Sequence, residues 1–125
     1  MTKRFFVVIL LVFVSASAWA QQAPIEYTLS FPAPEHRWML VEARFPNVPN
    51  GTLQLRMART SPGRYALHEF AKNVFDVSIV NGKRQPLTAT RPDPHQWDVA
   101  NHDGTVVVTY KIFGDRTDGT YLGID

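Results

Sequence analysis

A period-two alternation of apolar and polar residues recurs along this chain, and it narrows the possible folds more than any other feature. Such alternation places one face of an extended segment toward a core and the other toward water. Ile25, Tyr27, Leu29 and Phe31 alternate with Glu26, Thr28 and Ser30. Met39, Val41, Ala43 and Phe45 are spaced the same way, as are Leu53, Leu55 and Met57, and then Phe75, Val77 and Ile79. Gln96 to Val99 repeats the pattern briefly. Thr105 to Phe113 is the run richest in β-branched residues, with Val106, Val108, Tyr110 and Ile112 on one face. These segments predict about six strands at spacings suited to an antiparallel β-sandwich, each burying its apolar row.

Turn chemistry separates the strands. Pro32-Ala33-Pro34 ends the first one, because proline cannot donate to a ladder. Pro46 to Gly51 forms a longer loop, and Asn101 to Gly104 a shorter one. Asn81-Gly82 is expected to close a hairpin through a type I′ turn, since both residue types tolerate positive φ. Gly114 to Gly119 is a polar loop near the end. One segment departs from the β period. Leu67, Phe70, Ala71 and Val74 fall at i, i+3, i+4 and i+7, which predicts a helix of about two turns. Leu67 and Phe70 would then face the core and plug one end of the sandwich. The fold class is therefore all-β, an antiparallel sandwich with one short helix.

The first twenty residues follow a different logic. Lys3 and Arg4 form a basic start, Phe5 to Val14 is an unbroken apolar run of ten, and Ala18-Trp19-Ala20 presents small residues at the two positions that signal peptidase tests. A bilayer span takes about 20 apolar residues, twice what this run offers. Residues 1–20 are therefore read as a signal peptide, and residues 21–125 as one exported domain, periplasmic or secreted, with no membrane anchor once the leader is cleaved. The chain has 13 Lys and Arg against 11 Asp and Glu. Without Lys3 and Arg4 the balance is 11 to 11, so the sequence pI of 9.2 owes much to the leader. A formally neutral domain without a basic stripe lacks the charge that nucleic-acid binding requires. There is no cysteine, so an exported fold must hold by packing alone.

The candidate chemistry is sparse. His68-Glu69-Phe70-Ala71-Lys72 begins like H-E-x-x-H, in which two histidines on one helical face bind zinc. Lys72 occupies the second ligand position and would repel a divalent cation. His36, His95 and His102 fall in turns or strand starts without a ligand at useful spacing. Asp115, Asp118 and Gly119 lack the alternate spacing and the later glutamate of a calcium loop. No serine lies in a nucleophile elbow, and no glycine-rich phosphate loop is present. No catalytic, cofactor-binding or metal-binding residue is assigned to this chain.

Thr60-Ser61-Pro62-Gly63-Arg64-Tyr65, followed by Glu69-Phe70-Ala71-Lys72-Asn73-Val74, resembles a signature of the glycyl aminopeptidase family of zinc metallopeptidases (peptidase family M sixty-one). Family members read close to T-P-G-S-Y, a short gap, then D-F-A-R-x-V; here Arg64, Glu69 and Lys72 stand in place of Ser, Asp and Arg. His95-Gln96-Trp97-Asp98-Val99 is similar to their H-R-W-x-V strand, Ile25-Glu26-Tyr27 to their opening, and Tyr121 to Asp125 to the approach to their catalytic domain. The resemblance covers Pro24 to Asp125. It implies an N-terminal β-sandwich domain, followed in the family by a thermolysin-like zinc domain and a PDZ domain. Pro62, Gly63, Tyr65, Glu69, Phe70, Ala71, Val74 and Trp97 are the signature positions, with a structural role. The zinc ligands of the family lie in the later domain, so the resemblance places no cofactor on this chain.

Two functional expectations follow. The first is a non-catalytic N-terminal domain of an exported zinc aminopeptidase, incomplete at its C-terminus, whose partner is the catalytic domain that it packs against while framing the substrate cleft. The second is a free-standing exported β-sandwich that binds a carbohydrate or protein, with Trp38, Trp97 and Tyr121 as a stacking platform. The leader carries its own test: mass spectrometry of the exported protein is expected to find Gln21 at the N-terminus, and an intact Met1 there would disprove cleavage.

Overall fold

The computed structural model describes residues 22–116 and 119–124. The signal peptide expected at residues 1–20, the start at Gln21, and Asp118 of the polar loop lie outside the described residues. Among the described residues seven strands form, in chain order: β1 (Glu26–Ser30), β2 (Trp38–Phe45), β3 (Leu53–Arg56), β4 (Val74–Asn81), β5 (Ala89–Thr90), β6 (Gln96–Val99) and β7 (Val106–Phe113). Six of these coincide with the alternating segments. β5 is only two residues long, too short to carry a period.

The strands make two antiparallel sheets, ordered β1-β2-β7-β4 and β3-β6-β5. Register decides which residues share a face. Tyr27 lies beside Ala43, Ala43 beside Val108, and Val108 beside Ile79. Leu29 lies beside Val41, and Val41 beside Tyr110. The inner face of the four-stranded sheet is thus one apolar field.

Two clusters cover parts of that field. Ile79, Val99, Val106 and Val108 form the larger, with Phe45, Leu53, Leu55 and Leu87 packed around it. Met39, Val41 and Ile124 form the smaller, and Tyr110 touches both. Val99 and Val106 are completely buried. Burial of such aliphatic side chains contributes roughly 1.5–3 kcal/mol each.

Three expectations require correction. The apolar row of β1 is not buried: Ile25, Tyr27, Leu29 and Phe31 are 49–59 % exposed. The three-stranded sheet is too short to reach over it, with strands of four, four and two residues. The two-turn helix is a single 3₁₀ turn, Phe70–Asn73, and Leu67 is exposed while Phe70 is half-buried. Val74 already belongs to β4, so the ladder to β7 takes over before a second helical turn can form. An isolated helix that short has little stability of its own. The hairpin after β4 does not use a type I′ turn at Asn81-Gly82. The left-handed residue is Arg84, at φ 60°, and the Arg84 amide donates to the Asn81 carbonyl at 3.0 Å. The cause is the Asn81 side chain. It is buried, and its Oδ1 accepts from the amides of Lys83 and Gln85 at 3.0 and 2.9 Å, which wraps a three-residue loop around it. Gly82 donates to Asp103 Oδ1 at 3.0 Å, and this contact chiefly holds the Asp103 carboxyl below its usual pKa.

β7 is central in its sheet, paired with β2 on one side and β4 on the other. The run after the polar loop turns back through a bridge between Asp115 and Gly123, and buries Ile124. Among the described residues, the edges without a paired strand are those of β1, β3, β4 and β5.

The contrast between the buried and exposed rows is measurable by urea unfolding. Ile79→Ala is expected to cost about 2–5 kcal/mol. Leu29→Ala is expected to stay within about 0.5 kcal/mol of the parent. Equal losses would mean that the β1 row is covered in this chain.

Candidate functional site

Between β3 and β4 the chain runs irregularly over residues 57–73. This loop carries six of the eight signature positions, and a set of polar contacts fixes its base. The Met57 amide donates to the His95 carbonyl at 2.9 Å, and the His68 amide to the Arg59 carbonyl at 2.8 Å. Glu69 joins the two. One carboxylate oxygen lies 3.2 Å from Arg59 Nη2 and the other 3.1 Å from His95 Nε2. His95 is buried at the start of β6, while Glu69 is more than half exposed. The carboxylate thus ties the loop to the three-stranded sheet.

The tip of the loop is set by local chemistry. Arg64 N–H donates to the Ser61 carbonyl at 3.1 Å across Pro62-Gly63, and Gly63 has φ 77°. Proline at the second position and a left-handed third residue define a type II turn, which explains why glycine stands there. The turn projects Tyr65 and Leu67 into water, Tyr65 completely.

Behind the loop, rings collect. His68 stacks on Phe70 at 5.0 Å between centroids, and Phe70 meets Tyr121 edge-on, also at 5.0 Å. Lys72 Nζ and the Arg116 guanidinium lie 5.3 and 5.1 Å from the centre of the Tyr121 ring. Contacts of cations with aromatic faces at such distances are attractive. Leu122, beside Tyr121, is partly exposed. The exposed apolar residues of the loop and the last described segment therefore share one end of the sandwich.

A second feature opens between the sheets. A cleft of about 260 Å³ is lined by Tyr27, Phe45, Leu55, Met57, Trp97 and Tyr110, among others. Burial, and then the neighbouring Tyr27, push the Tyr110 phenol above its usual pKa. Val74 also lines the cleft, and Arg91 covers the Trp97 ring at 4.5 Å.

The signature residues thus divide into three groups. Val74 and Trp97 meet at the cleft, Glu69, Phe70 and Ala71 sit at the loop base, and Pro62, Gly63 and Tyr65 form the exposed tip. Trp38, Trp97 and Tyr121 do not form one platform. Trp38 packs on Phe75 and Phe113, Trp97 lies under Arg91, and Tyr121 meets His68 and Phe70. Sequence reasoning missed Arg59 and His95 as partners of Glu69. They stand ten residues before it and 26 after it, and no local period links them.

The arrangement does not fit a zinc ion. The oxygens of Glu69 are engaged by Arg59 and His95, and the Lys72 ammonium lies over Tyr121. Among the described residues no group of three His, Cys, Asp or Glu side chains could hold a metal.

Residues 26–125 match the family model described as Peptidase M61 N-terminal domain. Among solved structures, the chain is similar to an aminopeptidase N family protein from Idiomarina loihiensis, with a TM-score of 0.69 and 16 % identity. The likeness covers 76 % of this chain and 16 % of that one, so it concerns the fold, and the chain spans a small part of that protein's length. No curated protein matches the chain.

Glu69→Gln tests the tie at the loop base. Exposed ion pairs contribute about 0–1 kcal/mol, so the global stability is expected to fall by no more than that. Hydrogen exchange at the His68 amide is expected to quicken severalfold, because its acceptor on Arg59 moves once the loop is released. An unchanged His68 amide would show that the carboxylate does not hold the loop.

Proposed function

The chain belongs to the peptidase M61 N-terminal domain family, and from that premise we propose that it is the non-catalytic N-terminal module of an exported zinc aminopeptidase. Its role is to pack against the catalytic domain and help frame the substrate cleft. The family match over residues 26–125 carries this reading. The similar aminopeptidase N family protein supports it, since the likeness covers 16 % of that chain, as a module of a longer protein would.

The surface that best suits such packing is the end of the sandwich holding the signature loop. Tyr65 and Leu67 stand exposed there, and Tyr121 and Leu122 approach from the last described segment. Exposed apolar groups gathered near one another mark an interaction surface more often than scattered ones do. The base beneath them is held by Glu69, Arg59 and His95, so the surface is presented on a supported loop. The zinc and its ligands belong, in this reading, to the catalytic domain, which would supply the hydrolytic chemistry. The described residues here contribute shape and contact area.

Two measurements test the proposal together. The purified chain, supplied with zinc, is expected to release no glycine from a chromogenic glycyl substrate. The coding sequence beyond Asp125 is expected to continue in frame into an H-E-x-x-H motif. Zinc-dependent glycine release by this chain alone would refute the non-catalytic role, and a frame that closes without the motif would refute the module.

A further inference from the structure

An asparagine side chain is open to attack by the backbone nitrogen of the next residue, most of all when that residue is glycine and has no Cβ to shield the nitrogen. The chain has five asparagines, and two of them precede glycine: Asn50-Gly51 and Asn81-Gly82. In sequence the two pairs are equivalent. In the folded protein they are opposites.

Asn81 is buried, and both polar atoms of its side chain are engaged. Oδ1 accepts from the Lys83 and Gln85 amides, and Nδ2 donates to Gln85 Oε1 at 3.0 Å. The nitrogen that would attack is occupied as well. The Gly82 amide donates to Asp103 Oδ1 at 3.0 Å, and the negative charge of that carboxylate opposes loss of the amide proton. A Cβ on Gly82 would lie 3.1 Å from Thr105 Cβ, so the backbone here is closely packed against the neighbouring turn.

Asn50 has none of this protection. It lies exposed in the loop that crosses from β2 in one sheet to β3 in the other. The Val48 amide is held by the Gly104 carbonyl at 2.8 Å, but no backbone hydrogen bond holds residues 49–51. Among the described residues no group bonds to the Asn50 side chain or accepts from the Gly51 amide. A Cβ on Gly51 would meet nothing within 4 Å, so the approach to its nitrogen is open. Yet Gly51 has φ 120°, a conformation that other residues rarely adopt. The crossover thus requires glycine at this position for its backbone, and that requirement leaves Asn50 beside the least shielded nitrogen a chain can offer.

We propose that Asn50 is a site of spontaneous covalent modification, its side-chain amide converted through a succinimide to isoaspartate and aspartate, while the fold keeps Asn81 intact. The Gly51 nitrogen gives its proton to hydroxide and attacks Asn50 Cγ. A bond forms between them, the Cγ–Nδ2 bond breaks, and ammonia leaves with a proton taken from water. Water then adds to one of the two ring carbonyls and breaks its bond to nitrogen. Opening at Cγ gives aspartate in a normal chain. Opening at the main-chain carbonyl gives isoaspartate, in which the chain runs through Cγ. Water is the co-reactant, and nothing is oxidised or reduced. Each event places a new carboxylate on a domain whose residues 21–125 are formally balanced in charge. The isoaspartate product also lengthens the crossover by one backbone atom shortly before β3 begins at Leu53.

The test incubates the full chain in mildly alkaline buffer, with and without urea, and follows both pairs by tryptic digestion and mass spectrometry. Residues 45–56 and 73–83 form separate fragments that hold one pair each. The gain in mass on exchanging NH for O is located by fragmentation, and the two products of equal mass are separated by chromatography. In the folded chain Asn50 is expected to convert at least about tenfold faster than Asn81, which reacts only after local opening. Its rate is expected to rise with pH, because the attacking nitrogen must lose a proton. In urea the two rates are expected to converge. Asn50→Gln is expected to leave residues 45–56 unmodified, since the longer side chain would have to close a larger ring. An unmodified Asn50, or equal rates at the two pairs in the folded chain, would overturn the proposal. So would an Asn81 that stays slow in urea, because its protection would then not come from the fold. Asn50-Gly51-Thr52 also has the form of a glycan acceptor. A glycan on Asn50 of the protein isolated from its own cells would block the attack and likewise overturn the assignment.

Discussion

β7 pairs with β2 over eight residues on one side and with β4 over six on the other, and the remaining architecture is arranged around that double pairing. Its inward residues supply the floor of both apolar clusters: Val106 and Val108 under the three-stranded sheet, Tyr110 between the clusters, and Ile112 under the returning C-terminal run. Without a cysteine the domain has no covalent brace. Cohesion then depends on apolar area removed from water, about 25 cal/mol per Å², and this strand contributes three consecutive buried residues, Val106, Val107 and Val108. Even its outward residue Val107 is buried. β1 has no such support. It pairs with β2 alone, and all five of its residues are exposed.

The functional end is held by a different kind of interaction. The loop over residues 57–73 has no ladder of its own, and its shape comes from one carboxylate shared between a guanidinium and an imidazole, together with a few backbone hydrogen bonds. Such contacts add little global stability but set local position. The signature positions reflect this division. Glu69 organises the base, Gly63 permits the tight turn at the tip, and Trp97 and Val74 belong to the cleft between the sheets. Even the part of the signature that runs from Pro62 to Val74 serves separate places in space.

The partial resemblance of His68-Glu69 to a zinc motif illustrates the limits of spacing alone. A metal site on a helix needs a sustained 3.6-residue period to bring two side chains onto one face. Here the helical stretch is one 3₁₀ turn beginning at Phe70, after both residues. His68 stacks on Phe70 while Glu69 reaches the opposite way, to Arg59 and His95. The same brevity explains why Leu67 lies in water although its spacing to Phe70 and Val74 is helical.

Alternation by itself determined the class of fold, six of the seven strands and the inward residues of β2 and β7, because a two-residue period is a property of the extended backbone and needs no knowledge of neighbours. The left-handed glycine in the Pro62-Gly63 turn is likewise a local matter, since sterics within the turn decide it. What lies opposite each face was decided only in three dimensions. The row of β1 has the same apolar pattern as β2, yet it is exposed, because the opposing sheet is built from short strands anchored over β4. The partners of Glu69, the three-residue loop around buried Asn81 and the return of Ile124 onto Met39 and Val41 likewise depend on segments distant in the chain. Burial is a relation between surfaces, and a single segment records only one of the two.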